Sequence, residues 1–170
     1  MFKLIGTILI MTGSVGFGVY FSAKESFRVQ DLLEFKKALL ILSSEIEYMR
    51  ATLSEACGNI AKRTGLGISG VFASFSHALA NSEGETAYQL WRNAIDTGKI
   101  FIAAEDRAVL DDFGKTIGYL DKQMQKNAIE YAVRYIDEKA ATLQKQSDKN
   151  KKMYRSLGII GGLLIAVVLW

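Results

Sequence analysis

The sequence predicts an all-α protein: a compact six-helix cytoplasmic bundle flanked by an N-terminal and a C-terminal transmembrane helix. Three observations carry this. The chain contains no proline, the residue that most often breaks helices. Its apolar residues recur at spacings of three and four rather than in alternation. Every Asp, Glu, Lys and Arg except Lys3 lies between two uncharged runs, Leu4 to Ala23 (20 residues) and Ser156 to Trp170 (15 residues). The expected organisation is an anchor over residues 1–23, a bundle over 24–150, and a basic stretch with a short second anchor over 151–170.

The first run meets the length of about 20 apolar residues that spans a bilayer core. It does not read as a cleaved signal peptide, because only Lys3 precedes it and Phe21 stands where a small residue is wanted. The second run is short by the same rule. A span, a half-inserted segment and a buried helix all fit its length; the span is favoured, because Leu157 to Trp170 holds no group that needs water. Ser14, Gly18 and Ser22 recur every four residues, and Gly158 and Gly162 repeat the spacing. Such small-residue stripes let membrane helices approach closely. Lys24, Arg28, Lys36 and Lys37 follow the first run. Lys145, Lys149, Lys151, Lys152 and Arg155 precede the second. The positive-inside rule then sets the bundle in the cytoplasm and both termini across the membrane. The basic run also suits an anionic lipid surface. A net charge of +3 is too small and too localised to argue for nucleic acid.

The central region reads as six helices. The first runs from about Glu25 to Arg50, with Leu32, Phe35, Leu39, Leu42, Ile46 and Met49 on one face. Thr52 and Glu55 form a capping box for a second helix striped by Leu53, Ala56, Cys57 and Ile60. A third, from about Ser69 to Ala80, sets Val71, Phe72, Phe75 and Leu79 inward. Ser82 and Glu85 offer a box for the fourth, with Tyr88, Trp91 and Ile95 inward and Gly98 at its end. The fifth covers about Ala103 to Gly114, burying Val109, Leu110 and Phe113. Asp121 caps the sixth, whose inward stripe is read as Met124, Ala128, Tyr131, Tyr135 and Leu143.

Candidate chemistry is thin. Gly65, Gly67 and Gly70 fit G-x-G-x-x-G, but no strand precedes them, so they read as a helix–helix turn and not a dinucleotide site. His77 is the sole histidine and Cys57 the sole cysteine. Neither has partners at catalytic or metal-ligand spacing, and one cysteine excludes an intramolecular disulfide. Asp111 and Asp112 are adjacent and point to different helix faces. No catalytic, cofactor or metal residues are expected, and the chain reads as no enzyme.

Several segments together carry a family resemblance: Met1 to Gly6; Ala38-Leu39 with Leu42, Glu45, Ile46 and Tyr48; Phe72 to Phe75 with Leu79; Trp91; Phe113 to Gly118 with Asp121 and Gln125; and Lys149 to Gly158 with Gly162 to Leu164. In these the chain resembles the stage III sporulation protein AB family of endospore-forming bacteria over essentially its whole length. It departs at Thr52, where the family commonly has proline. The resemblance implies a non-enzymatic platform subunit of a secretion-like transenvelope complex joining mother cell and forespore, required for spore formation. It implies a six-helix bundle similar to the cytoplasmic domain of type II secretion platform proteins. The implied partners are a secretion-type cytoplasmic ATPase and membrane subunits, with homo-oligomers also possible on this reading. The implied location is the mother-cell membrane around the forespore. The alternative is a membrane adaptor that recruits a cytoplasmic regulatory protein without a motor. Asp121 and Gln125 are either a structural corner or a polar contact for a partner.

Overall fold

The computed structural model describes residues 25–47, 52–82, 84–117 and 121–169. Six helices and no strand are present among them. Helix α1 occupies 25–47. It is followed by α2 (Leu53–Ala61), α3 (Leu66–Asn81), α4 (Ala87–Thr97), α5 (Ala104–Thr116) and α6 (Lys122–Leu169). Arg28–Ala140 form one compact unit, and α6 from Ala141 onward belongs to a second. Within the first unit, α2 packs on α3, α3 on α4, and α4 on α5.

Caps explain where these helices start. Thr52 Oγ1 accepts from the Glu55 amide while Glu55 returns a carboxylate to the Thr52 amide, the reciprocal box expected. The box of α4 is not Ser82 and Glu85 but Thr86 and Gln89. Both pairs fit the motif, and α3 continues through Asn81 into the ground that the earlier pair would need. Helix α3 also begins three residues before the expected Ser69. Its first turn runs through the glycine motif, because Gly65 serves as the N-cap. Its amide donates to Glu34 Oε2 at 2.8 Å, a capping partner 31 residues away.

The core centres on Trp91, which is fully buried. Phe35, Phe72, Phe75 and Phe113 surround it with ring centroids 5.3–5.9 Å away, all edge-on, the arrangement that aromatic quadrupoles favour. Its Nε1 donates to the Leu110 carbonyl at 2.9 Å, so no indole donor is left unpaired. Gly114 lies inside α5, where a Cβ would collide with Cδ1 of Trp91. Gly114 is thus a packing notch within the helix rather than its end. Gly98 plays a similar part, for a Cβ there would meet Val71 at 2.5 Å.

The inward face of α6 also differs from expectation. Of the expected stripe Leu143 is buried and Ala128 and Tyr135 are half-buried, but Met124 and Tyr131 are exposed, at 51% and 56%, and Ile129, Ala132, Ile136 and Ala140 are buried with Leu143. That set keeps three- and four-residue spacing but is rotated from the stripe read through the tyrosines. Tyrosine is apolar enough to pass for core, yet its hydroxyl wants water or a partner, and small alanines let α6 lie close. Among the described residues no helix is long and apolar enough to cross a membrane. The run from Leu4 to Ala23 falls outside the described residues; the second run is helical as far as Leu169.

Candidate functional site

Two polar assemblies and one trough stand out on the Arg28–Ala140 unit. The first assembly gathers on Asp106, which is 1% exposed. Arg28 donates to it from Nε at 2.7 Å and from Nη2 at 2.9 Å; Tyr135 Oη donates at 2.9 Å and the Ala103 amide at 2.8 Å. Glu105 beside it meets both Arg28 and Lys139, at 2.7 and 2.6 Å. One carboxylate thus ties α1, α5 and α6 together. Burial opposes its ionisation most, but Arg28, the Ala103 amide and Tyr135 outweigh that and hold its carboxyl below the ordinary value. Tyr135 is pushed up, first by burial and then by the Asp106 carboxylate it donates to.

The second assembly fixes loops against α1. Asp31 Oδ2 accepts from the Phe101 amide at 2.6 Å, and Glu34 holds Gly65 as described. Burial raises Asp31 above its ordinary value, against the pull of the Phe101 amide. The amide that a phosphate-binding loop would offer at Gly65 is therefore occupied by the chain's own carboxylate. These acids work as internal fasteners, with their oxygens committed to amides and an arginine.

The trough runs along α1 beside Arg63. Leu33, Lys37, Leu40, Ile41 and Glu45 line it, and its volume is about 530 Å³. Among the described residues, three buried side-chain oxygens lack hydrogen-bond partners: Glu45 Oε2, Asp111 Oδ1 and Ser147 Oγ. Glu45 is also one of the residues that line this trough. Sequence reading passed over it because Leu33 and Leu40 lie off the core stripe of α1. Their spacing of seven was the available signal.

The residues singled out from sequence are scattered. Asp121 is exposed and caps α6, its Oδ1 accepting from the amides of Gln123 at 2.8 Å and Met124 at 3.2 Å. Gln125 is half-buried, and its amide donates to the Asp121 carbonyl at 3.2 Å. Lys145 and Lys149 are exposed on α6, which also carries Lys151, Lys152, Arg155, Gly158 and Gly162. Ser14, Gly18 and Ser22 lie outside the described residues. His77 is exposed. Cys57 is 1% exposed, and burial pushes its thiol up to about 12. No group of three or more His, Cys, Asp or Glu that could hold a metal ion occurs among the described residues.

Comparison with known proteins gives one consistent answer. The profile of the stage III sporulation protein AB family matches residues 3–170. The chain is 28% identical over 173 residues to stage III sporulation protein AB of Bacillus subtilis (strain 168), covering 99% of each sequence. Its fold matches a solved structure of stage III sporulation protein AB (SpoIIIAB) with a TM-score of 0.64 and 25% identity. That match covers 72% of this chain and 97% of the solved one.

Proposed function

The chain belongs to the stage III sporulation protein AB family, and on that premise we propose that it is a membrane-anchored, non-enzymatic platform subunit of a secretion-like complex joining mother cell and forespore. The observation that carries this reading is the family match from residue 3 to residue 170, which takes in both uncharged flanks as well as the bundle. On this reading both flanks are membrane anchors, and the bundle faces the mother-cell cytoplasm. There it engages a secretion-type ATPase and membrane subunits. Lys145, Lys149, Lys151, Lys152 and Arg155 lie against anionic headgroups, each contributing roughly 1 kcal/mol near the surface. Ser14, Gly18, Ser22, Gly158 and Gly162 are the proposed points of helix contact in the membrane.

A platform holds shape and transmits load, and the internal bonding supports that role. Asp31, Glu34 and Asp106 spend their oxygens on fastening helices and loops. Purification of the full chain from sporulating cells in mild detergent tests the reading. Co-purification of a hexameric ATPase with membrane subunits is expected. A single soluble regulator as the main partner would favour the adaptor role.

For Asp121 and Gln125 a narrower test applies. Asp121 is engaged in capping, so its contribution to a contact would come through the corner it shapes. Gln125 is half-buried, so Gln125→Ala is expected to lower stability by no more than about 1 kcal/mol while weakening complex recovery. Equal recovery would remove Gln125 from the contact.

A further inference from the structure

Helix α1 carries a second apolar line that the core does not use. Leu33 is 40% exposed and Leu40, seven residues on, is 50% exposed. With Lys37, Ile41, Glu45 and Arg63 they line the trough of about 530 Å³. From Leu33 to Glu45 the trough follows about 18 Å of helix, at ~1.5 Å per residue. That is the length of three helical turns, and exposed leucines at this spacing match the apolar face of another helix.

The chemistry at its far end narrows the occupant. Glu45 is 8% exposed, and its Oε2 has no hydrogen-bond partner. A carboxylate oxygen shielded from water without a donor is costly and uncommon in native proteins. A cationic side chain on the trough side gives the Glu45 carboxylate a donor. The rim has the opposite sign. Lys37 makes only a loose pair with Glu34 at 3.7 Å, and no ion pair engages Arg63 among the described residues.

We propose that this trough receives one amphipathic helix of a partner protein. Its apolar residues sit on Leu33, Leu40 and Ile41, a Lys or Arg donates to Glu45, and acidic residues face Lys37 and Arg63. The inference deepens the platform reading and rests on it only for the existence of a protein partner.

Photo-crosslinking of the full chain in sporulating cells tests it. The probe is p-benzoylphenylalanine placed at Leu40, with the same probe at exposed His77 as control. The expected result is an adduct from position 40 alone. Its mapped partner segment should carry apolar residues every three or four positions and a basic residue in register with Glu45. Glu45→Lys should cut the adduct about tenfold or more, and charge reversal at the mapped basic residue should restore it. Leu33→Ser, at an exposed position that the core does not need, should also lower the yield. An adduct to a second copy or to lipid, no adduct at position 40, or a yield indifferent to both substitutions overturns the proposal. Recovery of the whole complex is followed in the same cells. If the complex persists without the position-40 adduct, the trough assignment fails alone; if the complex is lost from the unsubstituted chain too, the platform reading fails with it.

Discussion

Gly114 and Asp106 show how much a single residue decides here. Gly114→Ala places a methyl group in the Trp91 ring, so either the ring or α5 must shift. A loss of about 1–3 kcal/mol is expected by chemical denaturation, in the range of overpacked cores. Trp91→Ala errs the other way, leaving a cavity among four phenylalanines, and should cost roughly 3–5 kcal/mol. Asp106 contributes through charge. Its folded-state carboxyl titrates below its ordinary value, so its stabilisation is present above the unfolded value of about 3.9. That stabilisation is lost as pH falls through the folded value. Asp106→Asn should therefore cost about 1–3 kcal/mol at neutral pH, because the Ala103 amide, Tyr135 and Arg28 lose a charged acceptor while Glu105 still holds Arg28, and should flatten the loss of stability on acidification. Neither role was legible in the sequence. Gly114 stands at the helix end expected from sequence, where glycine is ordinarily a stop signal, so nothing local marks it as the seat of the Trp91 ring. Asp106 and Arg28 stand 78 residues apart, beyond any local pattern.

At the scale of elements the periodicity was a good guide to which segments are helical, and a weaker one to which way they face. Leu32, Phe35, Leu39 and Leu42 are buried on α1 as their spacing implies. On α6 the tyrosines drew the stripe to the wrong side. The rotated face gives a direct check: Ile136→Ala should cost roughly 2–5 kcal/mol, as a buried aliphatic truncation does. Tyr131→Ala, at 56% exposure, should stay within about 0.5 kcal/mol. Equal effects in thermal melts would return α6 to the orientation read from sequence. The start of α3 escaped for a different reason. Local rules look for a Ser, Thr, Asp or Asn beside the helix, whereas Glu34 reaches the Gly65 amide from another helix. The trough on α1 was missed because an apolar pair off the main stripe looks like noise until the neighbouring helix leaves it uncovered.

For the whole molecule, the outstanding expectation is topological. Single cysteines placed near either terminus of the full chain, with Cys57 replaced, should label only from the side opposite the bundle. Labelling of the C-terminal site from the bundle side would mean that the short second run does not cross. Cys57 itself should resist thiol reagents at neutral pH in the folded protein, since burial keeps its thiol protonated. The meeting of Arg28 and Lys139 on one oxygen of Glu105 has a further consequence. The compact unit begins at Arg28 and ends at Ala140, so its first and last turns are held side by side. A module whose ends adjoin is a natural guest: it can be lifted out of one chain and spliced into another without stretching its host. The excised module, its old ends joined by a short glycine–serine linker, should accept new termini at exposed Gly84 between α3 and α4 and keep its helical circular dichroism and cooperative melting.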